Sequence, residues 1–245
     1  MRIIPLSEGR FTIDKTKLFV PFDEKEHQLH ERSRGSLLVE IQPFVVITSR
    51  DILLLDTGLG FKKDGMLQIH HNLVENGISP GEVTKVLLSH LHKDHAGAVG
   101  MDLDTPDPRM AFPRALYYVQ RKEYEYAMEK GLSSFVPAEL ECLQDSQQVE
   151  WLDGNGIIDG YIHYELTGGH SPFHQVFRIE EEGEIIFYGG DEAPQLQQMK
   201  HRFVAKYDAD GKKAMELRQQ WWEQGQAAHW QILFYHDVRH PFVKL

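Results

Sequence analysis

The sequence predicts an α/β sandwich, two packed sheets covered by helices on their outer faces. Three observations carry that reading. β-rich and helical segments alternate along the first half, the second half repeats the same grammar, and no Gly/Ser-rich linker separates the halves. One domain over residues 1–245 is therefore expected. Short β-rich segments come first, at Arg2 to Pro5, Arg10 to Asp14 and Leu18 to Pro21, followed by a stronger pair at Ser36 to Gln42 and Phe44 to Leu55. From Gly65 to Asn76, the residues Met66, Ile69, Leu73 and Val74 recur at helical spacing, and Gly77 can supply a left-handed stop. Lys85 to Leu88 and Ala115 to Val119 read as strands, and Arg121 to Lys130 as a helix ending at Gly131. Further strands are expected at Val149 to Leu152, Tyr161 to Leu166, Val176 to Ile179 and Glu184 to Tyr188. A helix from about Lys212 to Gln224 and an apolar strand from Trp230 to Tyr235 complete the pattern.

Composition narrows the function. With 26 Lys and Arg against 37 Asp and Glu, the formal net charge of −11 argues against a nucleic-acid backbone or an anionic membrane as partner. The longest apolar runs are strand-sized, far short of the roughly 20 residues that span a bilayer. One cysteine, Cys142, forms no internal disulfide, and no signal-peptide core precedes Pro21, so a reducing cytoplasm is expected. Histidine is the unusual residue: the chain has 14, which favours imidazole and carboxylate metal chemistry over thiolate sites.

The densest cluster is Ser89-His90-Leu91-His92-Lys93-Asp94-His95, at the end of an apolar strand. In an extended chain, side chains two apart point the same way, so His90 and His92 can reach one ion. As the chain turns, Asp94 and His95 can swing towards a second. His70 and His71 fall within a predicted helix, and His163, His201 and His229 have no partner at ligand spacing, so these read as structural or exposed. His240 lies four residues after His236 but precedes Pro241, which disfavours a helical metal pair. Cys142 sits in an apolar and acidic helical segment and is expected to be inert. The adjacent Trp221 and Trp222 cannot face the same way on a helix, so one is core while the other covers a neighbour or a homodimer contact.

The His-x-His-x-Asp-His cluster resembles the signature of the metallo-β-lactamase superfamily, and further landmarks follow in order. Leu55-Asp56-Thr57-Gly58 resembles the family's Asp-x-Gly turn, and Thr167-Gly168-Gly169-His170 the segment that supplies a third histidine. Gly189-Gly190-Asp191 resembles its strand-end bridging aspartate, and Tyr235-His236-Asp237 the end of its last strand. The resemblance implies a four-layer αββα sandwich. It also implies His90, His92 and His170 around one metal, Asp94, His95 and His236 around another, and Asp191 shared. Two divalent ions are implied, zinc first, with iron, manganese or cobalt as substitutes. Asp56 is expected to receive a ligand's second ring N–H, and His174 to fix a loop.

Two such ions would supply an acidified water for hydrolysis, with Asp94 expected as the catalytic proton shuttle, and the scheme calls for no organic cofactor. Among the superfamily, Leu55 to Gly60, Asn76 to Pro80 and Phe112 to Ala115 resemble the acyl-homoserine lactonase and methyl parathion hydrolase group. Those lactonases carry a tyrosine three residues after the bridging aspartate, whereas Pro194 stands there here. Tyr188 is near but is expected to project from a strand. The expected function is cleavage of a small ester or lactone. Alternatives are a thioesterase or phosphoesterase of the same superfamily, or a mononuclear iron sulfur dioxygenase. An acidic loop at Asp102, Asp104 and Asp107 close behind His95 would favour neutral small-molecule substrates over multiply charged anions.

Overall fold

The computed structural model describes residues 1–101 and 109–245, so the acidic loop of Asp102, Asp104 and Asp107 lies outside the described residues. Arg2–Pro5, Phe44–Ile47, Ile52–Leu55, Lys85–Leu87, Leu116–Gln120 and Val149–Leu152 lie side by side, in that order, in a six-stranded sheet. A second six-stranded sheet contains Gly156–Ile158, Ile162–Leu166, Gln175–Glu181, Glu184–Tyr188, Gln231–Leu233 and Phe242–Lys244. Gly9–Ile13 pairs with both Val20–Pro21 and Leu37–Ile41 to make a smaller three-stranded sheet.

Alternation along the strands explains the layers. Val45 and Leu54 point to one face of the first sheet and pack with Ile69 and Leu73 of the helix Gln68–Glu75 and with Ala127 of the helix Arg121–Lys130. Their neighbours Val46, Leu53 and Leu55 point the other way and meet Ile162, Phe177, Ile186 and Tyr188 of the second sheet. On the far side of that second sheet, Phe187 and Ile232 pack on Trp221 of the helix Gly211–Ala228. Both central sheets are thus apolar on two faces, so the order helix, sheet, sheet, helix expected from the sequence follows. Trp222 packs at the edge of the same cluster, with Lys200 Nζ 6.0 Å from its ring centre.

Several boundaries differ from the sequence reading. The run Phe44 to Leu55 is two strands, Phe44–Ile47 and Ile52–Leu55, because Thr48 Oγ1 accepts from the backbone N–H of Arg50 and of Asp51 and bends the chain into a hairpin. The first long helix starts at Gln68 because Met66–Leu67 pairs with Lys62–Lys63; Met66 and Val74 are exposed, which leaves Ile69 and Leu73 as its buried face. The expected strand Trp230 to Tyr235 is regular only over Gln231–Leu233, and the edge strand Phe242–Lys244 pairs beside it. The last helix is longer than expected. Asp210 accepts from the N–H of Lys213 at 3.0 Å to cap its start, and His229, in left-handed conformation, ends it. No helix among the described residues is long and apolar enough to cross a membrane.

Close backbone contact sets the turn after Ile52–Leu55. Thr57 N–H donates to His95 O at 2.7 Å, and Gly97 N–H to Gly58 O at 2.9 Å, so the turn is laced to the segment carrying the histidine cluster. Gly60 has φ +72°, and a Cβ there would stand 2.1 Å from Gly97 O, a backbone atom that cannot swing aside. Gly60→Ala is therefore expected to destabilise the protein by about 2 kcal/mol or more, lowering Tm by about 4–8 °C in thermal unfolding. An unchanged Tm would show that this turn can open without loss.

Candidate metal centre

The site lies where both sheets present the carboxyl ends of their strands, the edge at which α/β folds bind ligands. Lys85–Leu87 leads into His90 and His92, and the short helix Lys93–Ala96 then carries Asp94 and His95. From the second sheet, His170 follows Ile162–Leu166, Asp191 follows Glu184–Tyr188, and His236 follows Gln231–Leu233. All the residues expected as ligands converge. The ligand atoms of His90, His92, His170 and Asp191 lie within 4.8 Å of one another, as do those of Asp94, His95 and His236. Asp191 joins the two groups: its Oδ2 is 3.2 Å from His170 Nε2, while its Oδ1 is 3.2 Å from His95 Nε2 and 3.1 Å from His236 Nε2.

Four of the five imidazoles are aimed by a contact on the other side of the ring. His95 Nδ1 lies 2.7 Å from Asp56 Oδ2, His170 Nδ1 2.9 Å from Asp208 Oδ1, and His236 Nδ1 2.8 Å from the carbonyl oxygen of Glu40. His90 Nδ1 is 3.1 Å from Ser89 Oγ. His92 faces inward with Nδ1 instead, 3.0 Å from His90 Nε2 and 3.1 Å from His170 Nε2. Asp56 also falls within reach of His90 and His95 as a possible ligand group. Its oxygens are already engaged by Ser89 N–H, Ser89 Oγ and Tyr188 O–H as well as by His95, which makes it a holder of the site, as the sequence suggested. Tyr188 is buried beneath the site and spends its hydroxyl on Asp56.

Three supporting residues have no signal in the spacing of the sequence. Glu192 Oε1 accepts from Thr167 Oγ1 and from the N–H groups of Gly169 and His170, clamping the His170 loop. Glu123 accepts from Leu91 N–H at 3.1 Å and Ser171 Oγ at 3.0 Å, tying the two histidine loops together; burial pushes its pKa up to about 7. Asp208 reaches His170 from a segment whose Ala209 and Asp210 N–H groups donate to His170 O and Gly169 O. His174 fixes a loop, as expected: its Nε2 accepts from Asp191 N–H at 3.2 Å. The other histidines stay outside. His70 is buried edge-on against Phe112, His71 pairs with Glu75, and His201, His229 and His240 are exposed. Cys142 is half-buried, and burial pushes its thiol up to about 11.

The electrostatics fit a divalent cation. Burial, together with neighbouring imidazoles, pushes His90 and His92 well below the usual histidine range, leaving neutral rings with inward lone pairs. Burial also opposes charge on His95 and His236, but Asp191 outweighs it and draws both upward. The same imidazoles overcome burial at Asp191 and hold it well below the ordinary carboxylate range. His95 Nε2 and Asp191 Oδ1 are buried with no hydrogen-bond partner, facing each other across the junction of the two groups. Orphaned nitrogen and carboxylate donors of this kind are what zinc, iron, manganese or cobalt would satisfy. Asp208→Ala is expected to weaken metal binding by about 10- to 100-fold, read by competition with a chromogenic chelator; wild-type affinity would remove Asp208 from the set that aims His170.

Residues 40–219 match the model of the metallo-beta-lactamase superfamily. The N-acyl homoserine lactonase AttM of Azorhizobium caulinodans is 32% identical over 125 residues, 45% of this chain and 41% of that protein. The N-acyl homoserine lactonase AiiA of Bacillus thuringiensis subsp. kurstaki is 31% identical over 106 residues, 43% of this chain and 36% of that protein. The matches therefore span less than half the length of these curated relatives. In fold, a probable metal-dependent hydrolase from Staphylococcus aureus superposes with a TM-score of 0.81 at 21% identity, covering 99% of this chain and 91% of that one. AidC, a dizinc quorum-quenching lactonase, gives a TM-score of 0.72 at 19% identity, covering 98% and 88%. With the family match spanning most of its length and the family's fold in place, the chain belongs to the metallo-beta-lactamase superfamily.

Proposed function

We propose that this protein is a metal-dependent hydrolase that holds two divalent ions, zinc first, and opens a small ester or lactone. One observation carries the reading: His92 and His170 of one donor group, Asp94 and His236 of the other, and Asp191 between them line a pocket of about 630 Å³, the size of a small-molecule site. His90, His92 and His170 would hold one ion and Asp94, His95 and His236 the other, with Asp191 between them. Such a pair supplies Lewis acidity towards the substrate's carbonyl oxygen and a water acidified towards neutrality. The protein's own residues do the rest. Asp94 lines the pocket, its Oδ2 3.4 Å from His236 Nε2, and is placed to accept the proton of the attacking water. As the acyl C–O bond breaks, the same carboxyl returns that proton to the leaving alkoxide. Tyr235 donates its hydroxyl to the backbone oxygen of Asp94 at 2.5 Å and so fixes the shuttle.

Pro194 stands where the lactonases carry a carbonyl-orienting phenol, yet Tyr207 lines the pocket edge-on to His170, with ring centres 6.0 Å apart. Tyr207 is partly exposed at the pocket mouth, and its phenol, protonated at neutral pH like any tyrosine, can donate to a substrate oxygen. The homology with lactonases, partial as it is, supports the same class of substrate. A single domain, a cytoplasmic location and a homodimer remain part of the proposal on the sequence argument alone.

Elemental analysis of protein purified without added metal should return about two divalent ions per chain. One iron per chain, together with oxygen consumption on a persulfide, would replace this reading with a dioxygenase. Asp94→Asn should retain most of that metal while losing about 10² to 10⁴ in kcat on the best lactone or aryl ester; full metal with near wild-type turnover excludes Asp94 as the shuttle. Tyr207→Phe should lower kcat/KM by about 10- to 100-fold on the same substrate, with metal content unchanged.

A further inference from the structure

The chain carries a formal net charge of −11, but the described part of the pocket's rim has the opposite sign. Lys15, Lys17, Lys93 and Lys206 all line the cavity above the metal-ligand cluster. Among the described residues, none of them is within 4.0 Å of a carboxylate, whereas Lys85 on the same chain is paired with Asp51 at 2.6 Å and Asp159 at 2.9 Å. Lys93 Nζ lies 5.8 Å from the ring centre of Phe19, and Lys15 and Lys206 are exposed, so ammonium groups without a salt bridge frame one apolar-walled opening and make it attractive to an anion.

Their backbone is fixed. Asp14, among the described residues the one carboxylate lining the pocket outside the metal cluster, turns back on its own loop: it accepts from Thr16 N–H at 2.8 Å and from Thr16 Oγ1, and the N–H of Lys17 donates to Asp14 O at 3.0 Å. These bonds hold Lys17 in a left-handed conformation, φ +60°, that a non-glycine residue rarely adopts. Lys206 sits on the segment clipped to the His170 loop, and the N–H of Lys93 donates to Ser134 O at 2.9 Å. The charges thus come from three separately anchored segments.

We infer that Lys15, Lys17, Lys93 and Lys206 form an anion-recognition subsite that selects an ester or lactone bearing a carboxylate or phosphate remote from the scissile carbonyl. The inference rests on the hydrolase reading above and names its substrate class. Lysine suits this task as a mobile point charge that accepts either anion without the fixed geometry of a guanidinium. Phe19 and Leu37, which also line the cavity, would cover the hydrocarbon between the reacting carbonyl and the anionic end.

The test compares kcat/KM of the metal-loaded enzyme for mono(4-nitrophenyl) glutarate with that for 4-nitrophenyl valerate. The anionic ester should win by about tenfold, and its advantage should shrink as salt rises from about 0.02 M to about 0.5 M. Lys17→Ala/Lys206→Ala should cut the ratio by about tenfold, whereas Lys122→Ala, which removes a charge from outside the pocket, should not move it. A ratio at or below one, or one indifferent to the double variant, overturns the subsite. If neither ester is cleaved, it is the hydrolase reading that fails, and calorimetry with glutarate and phenyl phosphate still decides the subsite. Binding weakened about tenfold or more by the double variant but not by Lys122→Ala supports it, the tighter ligand naming carboxylate or phosphate. Equal binding by wild type and double variant, or none by wild type, sinks it.

Discussion

A single buried carboxylate shared between two clusters of imidazoles sets the conditions for the rest of this structure. Asp191 cannot be accommodated there as an isolated anion, because removing a charged group from water costs several kcal/mol even after relaxation. It must therefore be surrounded by groups that draw charge, and His95, His170 and His236 approach both of its oxygens. Those rings in turn crowd His90 and His92, whose inward lone pairs repel unless a cation takes them up. The cluster is consequently poised for metal, and part of the free energy of metal binding is free energy of folding. Asp191 is itself positioned through its main chain, by the His174 ring that accepts its N–H.

The sandwich exists in a form that can meet this demand because neither sheet supplies a complete set of donors. His90, His92, Asp94 and His95 hang from the first sheet, and His170, Asp191 and His236 from the second. The two sets keep their spacing only while the inter-sheet core holds, and two tyrosines bolt the sheets together at the site itself. Tyr188 and Tyr235 rise from the second sheet and donate to Asp56 and to the Asp94 backbone, both attached to the first. Their hydroxyls are buried, so each would lose about 1–3 kcal/mol if left unpaired. The sheets thus have a polar registration as well as an apolar one.

Much of this was legible in the sequence because metal ligation is written in residue identity and spacing. The group at His90 to His95 is local in the chain, whereas His170, Asp191 and His236 are far apart in sequence and were placed by the resemblance of their short motifs to the family's landmarks rather than by spacing. Secondary-structure type was readable wherever periodicity was long, as at Arg121–Lys130, and boundaries slipped where a short turn interrupts an apolar run, as at Thr48 to Asp51. Asp208, Glu123 and Glu192 were not legible. Each acts by one hydrogen bond or a few to a loop distant in sequence, and nothing in its neighbourhood distinguishes a carboxylate that holds a loop from one that faces water.

Substrate preference was less legible still, for a related reason. Net charge is a sum over the whole surface, whereas a ligand entering a low-dielectric opening responds to the few charges that line it. Residues 13–19, 35–39, 92–94, 134 and 206–207 contribute to the pocket wall, and no interval between them carries a pattern. An acidic chain can therefore present a basic mouth without contradiction. The metal centre explains how a carbonyl could be attacked and would serve many substrates equally; discrimination has to come from groups that touch the part of the substrate that does not react. In this fold those groups sit on the loops framing the strand ends, the segments freest to change without disturbing the Asp191 cluster beneath them.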